Sequence, residues 1–405
     1  MDGTAMLFFK TVPSKSERSG PDKRPPWRYG LMTCRKLVGV WLIGFCVLMS
    51  TPEFGETADS QKAKVSPTGS TERHLANIRQ LTFGRQNAEA YFSFDGTKLI
   101  FQSTNDWSKV SEANPLKPAD AGHGCYQMYV MDLQSMTTRM ISTGVGATTC
   151  GYFFPGDRRV LYSSTHQAGP NCPPKPKRDG AYRWALDDYD IYSVRIDGQQ
   201  VQRLTATPGY DAEATISPSG KTIVWTSVKD GDLDLYTMNL DGTNAQRLTN
   251  DLGYDGGAFF SPDSTRLVYR AAHPTDPAEI AKYKELLAQR LVEPGQLEIF
   301  VINVDGSGKK QVTSNGASNF SPYFHPDGKR IIFSSNLETR KEGGRPSFHL
   351  YLVRDDGTGT ERITTEGHFN SFPMFSPDGK RLVWVSDRNA NAPGEFNVFL
   401  ADWIP

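Results

Sequence analysis

From about residue 73 to the C-terminus, apolar and polar residues alternate in short runs, and turn residues interrupt every run. Period-two alternation marks strands, because successive side chains point to opposite faces of a sheet. The clearest unit is FSPDGKRLVW, Phe375–Trp384: an apolar strand end, a Ser-Pro-Asp-Gly turn, a basic residue and an alternating strand. Pro presets φ, Asp bonds its own backbone, and Gly supplies the positive φ that closes the hairpin. The unit recurs as FSFDGTKLIF at Phe92, FFPGDRRVLY at Phe153, ISPSGKTIVW at Ile216, FSPDSTRLVY at Phe260 and FHPDGKRIIF at Phe324, six copies in all. The chain is a repeat protein.

Each repeat reads as four strands, a to d. Strand a ends at the turn and strand b follows it. Strand c has a polar start and an apolar-aromatic core, as in DLDLYTMNL, and a DG-type turn leads to a strand d such as AQRLT. Five strands d occur: TRMIST, VQRLT, AQRLT, KQVT and ERIT. The sixth repeat stops after its strand c, EFNVFLADW, and the missing strand is supplied by NIRQLT, Asn77–Thr82, ahead of the first strand a. An N-terminal strand that completes the last blade closes a ring without leaving a sheet edge. The expected fold is therefore all-β, a six-bladed β-propeller of four-stranded blades over residues 73–405. One helix is inserted in blade four: Asp276 as N-cap, Pro277 in the first turn, an apolar stripe of Ile280, Tyr283, Leu286, Leu287 and Leu291, and a stop at Pro294-Gly295. It is expected to pack on the propeller, with a lid over the channel as the sharper reading.

Strand direction separates two faces. The SPDG and DG turns share one and are short. The b–c connections share the other and vary widely, with long insertions at Thr104–Tyr126, Thr165–Tyr189 and Ala272–Leu297. Long irregular insertions on a rigid scaffold carry function, so this is the expected functional face. Strand a opens there with a polar column, Asn87, Thr148, Asp211, Asp255, Asn319 and Asn370. Two positions on stand Glu89, Cys150, Glu213, Gly257, Ser321 and Phe372. Strand c opens with Gln127, Asp190, Asp234, Glu298, His349 and Asn397. The candidate ligand-binding residues at the channel mouth are Asn87, Glu89, Asp211, Glu213, Asp255, Asn319 and Asn370. Asp211, Glu213, Asp255 and Glu89 are oxygen ligands suited to a divalent cation or a sugar. The competing reading is that these groups cap strands and bond loop amides.

Cys125, Cys150 and Cys172 all map to the same face. One disulfide plus one free thiol is expected, with Cys150 as the shared partner; the alternatives are buried thiols, or a metal site with His123 and His166. Asp230, Asp232 and Asp234 lack the Gly and distal Glu of a calcium loop and read as a turn. The blade-two segment NCPPKPKRDGAYRW, basic and aromatic, is a candidate sugar or peptide contact beside its reading as a solvated loop. No G-x-S-x-G, H-E-x-x-H, P-loop or dinucleotide fingerprint occurs.

Charge adds one exclusion. Lys plus Arg equals Asp plus Glu at 45 each, without the basic excess of a nucleic-acid binder. At the N-terminus, residues 1–50 read as a leader whose run Leu37–Met49, after Arg35 and Lys36, is a secretory h-region; an uncleaved anchor is the alternative. Residues 51–72 read as a polar, disordered linker. A periplasmic or secreted location follows, with envelope association through the N-terminal segment if it is retained.

The SPDGK hairpins, the D-x-Y strands c and the RLT strands d resemble the TolB-like branch of the WD-type propeller repeats, over about Asn77 to Trp403. The resemblance implies a six-bladed scaffold that binds a protein, peptide or glycan through its insertion-rich face, as a non-catalytic monomer. It also admits an enzyme like the oligogalacturonate lyases, with a metal held by His and Gln or carboxylates in the channel. That architecture needs channel histidines, and none of the seven His falls in the innermost polar column. Binding is the favoured expectation.

Overall fold

The computed structural model describes residues 72–107, 119–177, 181–339 and 346–405; the leader, with Leu37–Met49, and the linker through residue 71 lie outside them. Six four-stranded antiparallel sheets follow one another along the chain. Blade three shows the pattern: Asp211–Ile216 innermost, then Thr222–Ser227, Asp234–Asn239 and, outermost, Gln246–Arg247. The innermost strands of the other blades are Asn87–Phe92, Thr148–Phe153, Tyr254–Phe260, Asn319–Phe324 and Asn370–Phe375. Blade six is completed from the other end of the chain, where Leu75–Gln80 pairs antiparallel with Asn397–Trp403. This strand lies two residues earlier than the sequence suggests, and Asn77, at φ 51°, bulges its pairing.

The repeated residues have repeated jobs. In the Ser376 turn, Ser376 Oγ accepts from Arg381 N at 3.0 Å, while Asp378 accepts from Lys380 N at 3.1 Å. Arg381 then reaches the turn of the next blade, donating to Gly96 O at 2.8 Å, and Arg266 does the same to Gly328 O at 2.6 Å. The Thr of each RLT strand accepts the second amide of strand c: Thr205 from Ile191, Thr249 from Leu235, Thr313 from Ile299 and Thr364 from Leu350, at 2.8–2.9 Å. Thr82 makes the same bond to Val398 N at 2.8 Å. The N-terminal segment thus fills the fourth-strand role in chemistry as well as position.

The helix spans Pro277–Ala288, and the Asp276 side chain accepts from Ala278 N at 2.9 Å and Glu279 N at 3.2 Å. It ends earlier than Pro294-Gly295, at an Arg290 with φ 59°. Leu291, expected on the helical stripe, belongs instead to a two-residue strand, Leu291–Val292, that pairs with Trp184–Ala185 of the blade-two insertion. Tyr283 and Leu287 pack with Leu186, Leu233, Tyr254, Val292 and Leu297. The Tyr283 hydroxyl also bonds Asp232 and, at 2.8 Å, Gly253 O.

Candidate functional site

The chemistry of the channel begins with a backbone irregularity. In all six innermost strands the pairing register shifts after the second strand residue of the repeat, a β-bulge. The third residue of each takes a left-handed φ: Glu89 at 51°, Cys150 at 54°, Glu213 at 59°, Gly257 at 62°, Ser321 at 51° and Phe372 at 55°. A bulge re-aims one side chain per strand, and here six of them ring the channel axis. Five of the six carry a Cβ in a conformation that only glycine adopts freely, a backbone cost repeated with each bulge.

Directly beneath this ring lie Tyr91, Tyr152, Phe259 and Tyr323. Tyr91 of blade one meets Phe259 of blade four with centroids 5.3 Å apart, and Phe259 meets Tyr152 at 6.2 Å and Tyr323 at 5.4 Å. Contact between opposite blades means the channel is plugged toward the SPDG face. What remains is a pocket of about 40 Å³ on the insertion side, lined by the third-position ring together with Tyr91, Phe259 and Arg270.

Blade four supplies glycine to the ring, and Arg270, from its second strand, occupies the space. The guanidinium sits where a Cβ on residue 257 would be. It forms an ion pair with Glu213 and lies over the rings of Trp184 at 5.3 Å and Tyr254 at 5.5 Å. Glu213 also accepts from Thr226 Oγ1 at 2.8 Å, Gly257 N at 3.0 Å and the Tyr254 hydroxyl at 3.1 Å. Glu89 is furnished differently. It receives the Cys150 thiol, and among the described residues no cation forms an ion pair with it. Burial is the main cause that pushes its carboxyl up to about 7, with the charge of Glu213 adding to it and Arg270 opposing. Burial likewise pushes the Cys150 thiol well above its ordinary range.

The rim is divided. Toward blades five and six stands an apolar group, where Phe320 meets Phe348 at 5.1 Å and Phe369 meets Phe396 at 5.6 Å. Toward blades one to three the insertions bring up Tyr126, Tyr189 and Trp184, joined by Tyr210 from the connection into blade three; Tyr189 and Tyr210 are in edge contact at 6.0 Å. Cys125 and Cys172 form a disulfide that ties the blade-one insertion to the blade-two insertion. Together with the strand pair at Trp184 and Leu291, this links three insertions into one canopy.

Of the sequence candidates, Glu89 and Glu213 line the pocket. Asn87, Asp211, Asp255, Asn319 and Asn370 do not; all are buried and bond to strands and loops. Asn87 accepts from Ser103 Oγ at 2.7 Å and donates to Asn397 at 3.0 Å, a blade-one to blade-six bond. Asp211 accepts from Trp225 Nε1 at 3.1 Å, Asn319 from Ser335 Oγ at 2.6 Å, and Asn370 from Trp384 Nε1 at 3.3 Å. The strand c column is bound likewise, as Asp190–Arg203 at 2.7 Å and Asp234–Arg247 at 2.6 Å. The proposed grouping of Asp211 and Asp255 with the two glutamates is therefore not formed. Asp255 instead joins Asp251 and His273, one ligand atom from each lying within 4.8 Å of the others, the one cluster with metal-ligand spacing among the described residues. His273 escaped the sequence reading because it sits just past the strand b pattern.

One disulfide and one free thiol are present among the described cysteines, but Cys150 is the free one. The bulge turns its sulfur into the channel, whereas Cys125 and Cys172 lie on insertions above. His123 and His166 make no metal cluster with these cysteines among the described residues. Asp232 is a loop anchor, accepting from Leu233 N at 2.9 Å and Gly253 N at 3.0 Å, in keeping with a turn. Arg270, Gly257 and Trp184 were missed as site residues. Only Gly257, at a position polar or bulky in the other copies, signalled that another side chain enters there.

The family model of the TolB β-propeller domain (PD40) matches residues 184–284 and 284–402. A TolB homologue from Chlorobium luteolum is 28% identical over 143 residues, covering 27% of this chain and 32% of that protein. A dipeptidyl-peptidase 5 from Porphyromonas gingivalis is 40% identical over 90 residues, 22% of this chain and 12% of that one. The chain thus spans about a third or less of the length of these curated relatives. Among solved structures, a TolB-type protein from Agrobacterium tumefaciens superposes with a TM-score of 0.50 at 18% identity, covering 79% of this chain and 91% of that one.

Proposed function

The chain belongs to the TolB β-propeller (PD40) family, and on that premise we propose that it is an extracytoplasmic, non-catalytic binding module that engages a polypeptide partner through its insertion face. The observation that carries this reading is the size of the pocket. About 40 Å³ has room for the order of three waters. Pockets that engulf small ligands run to roughly 300–1,000 Å³. A sugar ring does not enter; a side-chain tip presented by a docked partner does. The divided aromatic rim suits such docking, because aromatic side chains dominate protein interfaces. None of the seven histidines lines the channel pocket, and its two carboxylates differ in their partners, Glu213 saturated by donors and Glu89 not, so this pocket offers no acid–base pair in a substrate-sized space. The Cys125–Cys172 disulfide supports an oxidising compartment.

A photo-reactive residue placed at Tyr182, 65% exposed on the blade-two insertion, tests the reading against one placed at Lys380 on the turn face. In the native envelope fraction, adducts to one defined polypeptide are expected from residue 182 and not from residue 380. Adducts from residue 380 alone would reverse the assignment of the face.

A further inference from the structure

We propose that the channel pocket is a lysine socket: it receives the ammonium tip of a lysine side chain carried by the partner polypeptide and seats it on Glu89. This rests on the polypeptide-binding reading above and names the group that enters the channel.

Three observations carry it. The first is charge. Glu213 and Arg270 cancel as a pair, and Glu213 already accepts from Thr226, Tyr254 and Gly257. Glu89 is left as the one pocket carboxylate whose negative charge no side-chain cation pairs among the described residues. A carboxylate largely shielded from water without a paired cation is unfavourable, and an incoming ammonium relieves it. The second is size and wall chemistry. Tyr91 and Phe259 close the pocket from below and Phe372 stands in the ring above them, so the charge meets ring π-systems and the methylenes pass an apolar face. A guanidinium is wider, and an α-amine arrives with its Cα substituents; the lysine tip is the slimmest cation a polypeptide carries. The third is depth. The aromatic plug beneath the ring ends the shaft just below Glu89, so an entering chain stops with its tip at that carboxylate.

The groups facing Glu89 are Tyr91 on its own strand, Tyr126 of blade one, Cys150 and Tyr189 of blade two, Glu213 of blade three and Arg270 of blade four. Glu89 itself changes charge near neutrality, at about 7. A lysine ammonium stays charged up to its own pKa of about 10.4, so binding should strengthen as Glu89 ionises, by about tenfold from pH 6 to pH 8.

Cys150 reports occupancy, because its sulfur shares the pocket. Full-length protein is treated with methyl methanethiosulfonate with and without Nα-acetyl-lysine methylamide, and Cys150 labelling is read by peptide mass mapping, which separates it from Cys34 and Cys46. The expected result is protection that grows about tenfold from pH 6 to 8, is absent with the Nε-acetylated probe, and is lost in Glu89→Gln. Equal protection by the acetylated probe, or protection undiminished in Glu89→Gln, overturns the inference. Absence of protection with cross-linking from residue 182 intact overturns the lysine socket alone; loss of both overturns the binding reading as well.

Discussion

Arg270 enters the channel through the space that a side chain at Gly257 would fill. The two residues face each other across the first two strands of blade four, and their fit places the guanidinium on Glu213, in the neighbouring blade. The glycine is needed twice: for its φ of 62° and for its missing Cβ. Gly257→Ala should therefore cost more than the roughly 1 kcal/mol of a left-handed alanine. With the buried ion pair displaced, a total of about 3–5 kcal/mol is expected, read as a fall in the urea midpoint without change of slope.

Glu89 makes stability fall with pH. Its folded pKa, about 7, lies above its ordinary value of 4.5, so the native state holds the proton longer than the unfolded chain. That contribution is fully present below about pH 4.5 and is lost as pH rises through 7. Glu89→Gln removes the loss. The variant should match wild type at pH 4.5 and exceed it by about 2–3 kcal/mol at pH 8, measured by urea unfolding at both values.

The ring is locked where its ends meet. Arg388 of blade six holds Glu72 in a two-pronged pair at 2.9 and 3.0 Å, both side chains buried, with the guanidinium over Trp384 at 5.1 Å. Glu72 also accepts from Thr365 N at 2.7 Å. Removing one partner of a buried pair costs about 3–5 kcal/mol. Arg388→Met should cost that much and raise amide exchange in Leu75–Gln80 before the other blades open.

Reduction should loosen the canopy and leave the barrel of blades in place. The Cys125–Cys172 link joins positions 47 residues apart, and closing such a loop is worth up to about 4 kcal/mol in the chain-entropy view. Cys125→Ser/Cys172→Ser should lower the melting temperature and speed proteolysis near residue 177, with the near-ultraviolet signal of the blade aromatics retained. Unchanged cleavage there would mean that the insertions are held by packing alone.

The fold was legible because its pattern is written six times: the turn, strand c and strand d recur in each repeat, the strand d threonine makes the same bond in blades two to five, and Thr82 carried that signature to the other end of the chain. The site was only half legible. Alternation along an ideal strand placed the first polar column, Asn87 and Asp211 among it, at the mouth. The bulge turned the third residue into the channel and left the first one buried between blades. A bulge has no residue signature when Glu, Cys, Ser and Phe all occupy it. The Arg270–Glu213 pair joins two blades and depends on one glycine, so no local pattern announces it. The helix start was readable from Asp276 and Pro277; its end was not, because strand pairing of Leu291 with Ala185 is a long-range contact.

The most direct measurement is the titration of the Glu89 carboxyl itself, followed by its side-chain ¹³C shift from pH 4 to 9 and assigned with Glu89→Gln. The structure predicts a midpoint near 7, moving downward when Nα-acetyl-lysine methylamide is added. A midpoint at the ordinary 4.5, unmoved by the amine, would contradict a shielded carboxylate without a paired cation in the channel pocket.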